Sequence, residues 1–78
     1  MKSVRKKEMP LIVFQIGKTI KDVIIEKGYK LRNVAYDADL DVENLRKYIK
    51  GTQEMKISTL MRIVNALNID VCDIFPKK

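Results

Sequence analysis

The chain has 78 residues, 46% of them hydrophobic and 33% charged, and a formal charge of +6. That length admits one domain with a small core, since a chain of this size buries only about 60% of its unfolded surface, and the composition is that of a globular rather than a disordered protein. A single cysteine, Cys72, and no histidine exclude an internal disulfide, a cysteine zinc cluster and a histidine base. No apolar run reaches the ~20 residues of a bilayer span and nothing resembles a cleavable signal, so a cytoplasmic protein without cofactor is expected.

The charge sits mostly at the ends. Lys2, Arg5, Lys6 and Lys7 against Glu8 give residues 2–8 a net +3, Lys77 and Lys78 add +2, and residues 9–76 hold ten cations and nine anions. Basic ends serve solubility or grip phosphate; the charge alone does not choose. Residues 1–10 read as a basic, flexible arm and 11–78 as one domain.

Pro10 precedes Leu-Ile-Val-Phe, a β-rich apolar run without helical period. A short strand at 11–14 is expected, with the first turn of the following helix as the alternative. A lone strand needs a partner, and none is evident in this chain, so it would pair with the same strand of a second subunit. Ile16–Lys27 reads as a helix: Ile16, Ile20, Val23 and Ile24 make the apolar stripe, Lys18, Lys21, Asp22 and Glu26 the wet face, and Gly28 the stop. Ile24 and Ile25 together widen the stripe, so packing on more than one side is expected.

Residues 31–50 hold two short helical patterns. Leu31, Val34, Ala35 and Ala38 repeat at i, i+3, i+4, i+7; Asp39-Leu40-Asp41 interrupts; Leu45, Tyr48 and Ile49 resume the period. Two helices of about two turns joined by about three residues make a helix-turn-helix. Gly51–Lys56 is a polar connection opened by a glycine suited to the left-handed region. Ile57–Leu67 is the next helix, with Leu60, Ile63, Val64 and Leu67 inward, Ser58 as a candidate cap and Asn68 as its left-handed end. Asp70 reads as the N-cap of a last short helix, Val71–Phe75, closed by Pro76. The expected fold is all-α with five short helices.

In one register, Ile16–Phe75 resembles the Cro/cI-type helix-turn-helix domain, the Xre family of bacterial and phage regulators. The match is carried by Glu26-Lys27-Gly28, Val34-Ala35, Leu40, Leu45 and Gly51, Leu60 through Leu67-Asn68-Ile69, and Asp73-Ile74-Phe75. The resemblance implies a lambda-repressor-like domain whose third helix enters the DNA major groove, acting as a homodimer. This chain departs from the family pattern in four places. Lys30 and Leu31 replace a polar cap and a Gln that touches the DNA backbone, Asp39 stands where the turn has Gly, and Met55 where helix 4 opens with Pro. Ile24 and Ile49 take the places of an Arg–Glu ion pair; apolar replacement of a buried pair costs little, and the two isoleucines are expected to touch.

The resemblance puts base reading at Val42, Glu43, Asn44 and Lys47, with Asp41 as N-cap. These side chains have the chemistry that base edges require. Asn pairs with adenine, Glu accepts from cytosine, Lys donates to guanine, and Val meets the thymine methyl. The alternative is that these are only the wet face of a surface helix. Phosphate candidates are Lys30, Arg32, Arg46, Lys50, Thr52, Gln53 and Lys56. Asp37, Asp39, Asp41 and Glu43 oppose them. Tyr36 and Tyr48 read as core or rim residues rather than stacking platforms, and Cys72 as a packing residue rather than a redox sensor.

The reading is a repressor-like regulator binding double-stranded DNA at a near-palindromic operator. The alternative is an antitoxin or other protein-interaction module with weak DNA readout, meeting a toxin or other partner through the 11–14 run or the last helix. Without histidine, a Gly-rich phosphate loop or a pocketed carboxylate pair, an enzyme is not expected.

Overall fold

The computed structural model describes residues 10–75; the basic arm expected at 1–10 lies, but for Pro10, outside the described residues, as do Pro76 and the lysines after it. The elements in order are α1 (Leu11–Lys27), α2 (Leu31–Asp37), α3 (Val42–Lys50) and α4 (Ile57–Leu67), followed by a single 3₁₀ turn at Val71–Asp73. The architecture is all-helical, with four α-helices and no strand among the described residues.

The strand expected at 11–14 is the first turn of α1. Pro10, at φ −59°, holds the N-cap position and its carbonyl accepts the Val13 N–H at 3.0 Å. A helix satisfies its own backbone, whereas a lone strand would leave an unpaired edge. Tertiary packing then overrides the β-preference of the run, because Val13 is buried and opens the stripe Val13, Gly17, Ile20, Ile24 that faces the core. Ile25 is not part of that stripe: one position round the helix from Ile24, it is 66% exposed.

Gly28, Gly51 and Asn68 end α1, α3 and α4 in the left-handed region, as their residue types lead one to expect. Ser58 does not cap α4; it lies inside the helix, whose N-cap position is held by Lys56 in extended conformation without a side-chain bond. The fifth helix is reduced to the 3₁₀ turn. Asp70 caps it through a capping box with Asp73, whose Oδ2 accepts the Asp70 N–H at 3.3 Å. That short turn drives Ile74 into the core at 0% exposure and leaves Cys72 exposed, against the expectation that Cys72 packs.

The largest fully buried side chains are Ile20, Leu45, Ile63, Leu67 and Ile74, and each such burial stabilises the fold by about 1.5–3 kcal/mol. They join α1, α3, α4 and the chain end, while Val34, Ala35 and Ala38 bring α2 into the same cluster. Helix α1 packs on α3, and α2 on both α3 and α4. Gly17 allows the first of these approaches: a Cβ there would fall 2.5 Å from the Tyr48 carbonyl oxygen and 2.6 Å from that of Ile49. Ile24 is buried in this cluster and Ile49 half-buried against it.

Candidate nucleic-acid interface

The helix-turn-helix is built from its small residues outward. Ala35 and Ala38, nearly without exposure, let α2 lie close to the core. Asp39 then takes φ 60°, which swings the chain so that the Leu40 N–H returns to the Ala35 carbonyl at 2.8 Å. A non-glycine residue in this region bears strain that aspartate tolerates better than most. Leu40 is half-buried against the core and anchors the turn. Asp41 holds the N-cap position of α3 in extended conformation, and its carbonyl accepts the Leu45 N–H at 3.1 Å, but its side chain makes no capping bond. Its carboxylate is nonetheless suited to the positive end of the helix dipole.

Helix α3 turns Leu45 and Tyr48 inward. At about 100° per residue, Glu43, Arg46, Lys47 and Lys50 share the opposite face, and all four are exposed. The base-reading residues expected from the sequence are therefore not equivalent. Glu43 and Lys47 stand on the exposed face; Asn44 is half-buried at one edge; Val42, at the other edge, is half-buried and packs against the core. Arg46, assigned to phosphate, lies at the edge of the exposed face nearest Val42, its Nε 4.0 Å from Glu43 Oε2. At this distance and exposure the pair contributes little to stability, but it gives Glu43 a competing partner.

The phosphate candidates group at helix ends. Lys30 is the N-cap position of α2 and Arg32 lies in its first turn; Lys50 closes α3; Gln53 lies in the connection and Lys56 at the N-cap position of α4. All are exposed. Thr52 is exposed too, but its hydroxyl donates to the Lys47 carbonyl at 3.2 Å and its N–H to the same oxygen at 3.1 Å. It fastens the end of α3, and its hydroxyl proton is engaged. The acids are also sorted: Asp37, Asp39 and Asp41 gather with Tyr36 and Leu40 around a shallow depression at the turn, apart from Lys47 and Lys50.

Tyr48 is a core residue at 8% exposure, as expected, and among the described residues no buried side-chain nitrogen or oxygen lacks a partner. Tyr36 is 84% exposed and packs in no core. Two features are not evident from the sequence. Gly17 fixes the depth at which α3 sits, and Phe14 lies over Gly51, where a Cβ would strike its ring. The Val13-to-Ile20 step across Gly17 is the available signal for the first; none marks the second. Among the described residues no helix is long and apolar enough to cross a membrane, and no group of acidic or cysteine side chains is placed to hold a metal.

A family model, the Cro/C1-type HTH DNA-binding domain, matches residues 19–76. No curated protein sequence matches the chain. Solved structures do. The restriction-modification controller protein C.AhdI from Aeromonas hydrophila superposes with a TM-score of 0.80 at 17% identity, over 85% of this chain and 100% of that one. The clp gene regulator ClgR from C. glutamicum does so with a TM-score of 0.79 at 25% identity, over 83% and 84% of the two chains. The controller protein C.Esp1396I, solved as a tetramer in complex with its natural 35 base-pair operator, gives 0.75 at 21% identity over 78% and 80%. At such identities the first and third likenesses carry the fold alone. The family match covers most of the sequence, including the whole α2–turn–α3 unit: the chain belongs to the Cro/C1-type helix-turn-helix DNA-binding family.

Proposed function

We propose that this protein is a sequence-specific transcriptional regulator of the repressor type, which binds a near-palindromic DNA operator as a homodimer with α3 in the major groove. The observation that carries the reading is the exposed face of α3, where Glu43, Arg46, Lys47 and Lys50 stand free of the core with Asn44 at their edge. Glu43, Asn44 and Lys47 read base edges there, with Val42 limited to an edge contact with a thymine methyl. Lys30, Arg32, Arg46, Lys50, Gln53 and Lys56 hold phosphates and set the register, and the Thr52 backbone supports them. Two copies would place two α3 helices about one DNA turn, ~34 Å, apart. C.Esp1396I, an oligomer on its operator, is consistent with that arrangement.

Titration of a labelled random-sequence duplex by fluorescence anisotropy across a salt series tests the DNA partnership directly. Affinity is expected to fall steeply and linearly on a log–log plot as phosphate contacts release counterions. Absence of binding at low salt would remove the reading. It would favour the protein-interaction module instead, for which the exposed apolar groove beside Ile57 is the supporting observation.

A further inference from the structure

Helix α1 meets the end of α3 at two successive points, through residues three apart and so on one face of the helix. At Gly17 the two backbones approach, and one turn earlier Phe14 lies with the edge of its ring over Gly51. A Cβ at Gly51 would fall 2.9 Å from Phe14 Cε1 and 3.2 Å from Cγ. Gly51 is buried, although its neighbours Lys50 and Thr52 are both exposed. Glycine is therefore required there twice, by φ 79° and by the ring that covers it. The two contacts bracket Lys50: the carbonyl before it, of Ile49, faces Gly17, and the glycine after it lies under Phe14.

We infer that Phe14 is a positioning residue for phosphate binding: its ring holds Gly51 in place and so fixes the exit of α3, from which Lys50, Thr52, Gln53 and Lys56 are presented. The inference rests on the DNA-binding reading above and adds a residue that the reading does not use. The connection after α3 is fastened at three places. Thr52 ties back to the Lys47 carbonyl through its N–H at 3.1 Å and its hydroxyl at 3.2 Å. Met55 is half-buried against the core. Phe14 supplies the remaining fastening, at the residue with the widest choice of backbone angles. Without the ring, Gly51 loses its cover, and the left-handed exit becomes one conformation among several. Lysines on a loosened exit still attract DNA, but they lose more conformational entropy on binding. Glu43, Asn44 and Lys47 lie earlier in α3, which Leu45 and Tyr48 hold to the core. The ring therefore acts on phosphate contact and leaves base preference alone.

Fluorescence anisotropy with a labelled random-sequence duplex, across a salt series well below the melting temperature, tests the assignment. The variants are Phe14→Ala, Phe14→Leu and Phe14→Tyr, with Ile25→Ala, 66% exposed and about three turns further along α1, as control. Phe14→Ala is expected to bind about 10-fold more weakly at low salt, with the log–log slope reduced by roughly one to two as phosphate contacts are lost. Phe14→Leu keeps apolar bulk without the flat ring and should show the same loss in smaller measure. Phe14→Tyr, whose added hydroxyl lies beyond the ring atoms nearest Gly51, should restore the wild-type slope, and Ile25→Ala should not change it. Duplexes selected from a random pool by Phe14→Ala should share the wild-type motif. A purely structural role lowers the melting temperature and leaves the slope of the folded chain as it was. An unchanged slope in the alanine and leucine variants therefore overturns the inference, and the leucine variant decides alone if the alanine variant does not fold. A changed motif also overturns it, because the ring would then act on the base-reading part of α3. A wild-type chain that binds no DNA removes the DNA reading and this inference together, whereas wild-type binding with unchanged variant slopes removes the inference alone.

Discussion

Gly17 of α1 lies against the last turn of α3 so closely that a Cβ would come within 2.6 Å of the Ile49 carbonyl oxygen. The obstructing atoms are backbone, which cannot rotate aside, so one methyl must push α3 away from α1. Gly17→Ala is therefore expected to destabilise the fold by about 1–3 kcal/mol, the range for overpacking a tight core, and to disturb the position of the exposed α3 face. Gly28→Ala offers the contrast: it meets nothing within 4 Å but sits at φ 71°, so only the ~1–2 kcal/mol of left-handed strain applies. Urea titration measures both; only the Gly17 variant should lose more DNA affinity than its lower stability explains.

Asp39, at φ 60°, combines backbone strain with a negative charge near the start of α3. Asp39→Gly relieves the strain and should raise stability by up to about 1 kcal/mol. Asp39→Asn keeps a residue that tolerates the left-handed region and removes only the charge. Both variants should bind DNA more tightly at low salt, and only the glycine variant should melt higher. Equal melting temperatures would show that the turn stores no strain.

Much of the frame is legible in the sequence because it rests on local rules. Gly28, Gly51 and Asn68 stop their helices where their residue types permit positive φ, Asp70 caps the last turn, and the 3.6-residue period locates α2, α3 and α4. The rest depends on contacts distant in sequence. Nothing within Leu11–Phe14 shows that Val13 will be buried, and that burial turns a strand-like run into helix. Gly17 reads as a gap in a stripe until α3 is laid against it. On the interface, periodicity separates Leu45 and Tyr48 from the exposed side. It also places Val42, three residues before Leu45, toward the core, but it does not reveal that Arg46 meets Glu43 at 4.0 Å or that the Thr52 hydroxyl is engaged by the Lys47 carbonyl. Cys72 stands two residues from Ile74, and with Ile74 taking the buried position the turn leaves Cys72 exposed.

The capping box at the chain end anchors Ile74. Asp70→Ala removes the side chain that closes the box and should cost about 1 kcal/mol, read as a lower midpoint in urea with unchanged slope. If the slope changes as well, the turn is coupled to more of the fold than its own cap.

Base and phosphate roles should separate in binding profiles. Asn44→Ala and Lys47→Ala are each expected to relax preference at one operator position by ~1–3 kcal/mol, while Arg32→Ala and Lys50→Ala weaken binding to all sequences and lower the salt slope by about one. Glu43→Ala releases Arg46 from its 4.0 Å partner and should change which base is preferred rather than abolish binding. A uniform loss from Asn44→Ala, with folding intact by circular dichroism, would reassign that residue to the backbone.

Sequence-specific reading by two α3 helices is open to a single decisive trial: selection of bound duplexes from a random DNA pool, at low and near-physiological salt. A near-palindrome is expected, its half-sites centred about 10–11 base pairs apart, with the motif sharpening as salt suppresses non-specific binding. Duplexes recovered without a shared motif at either salt, despite measurable binding, would contradict base reading by α3.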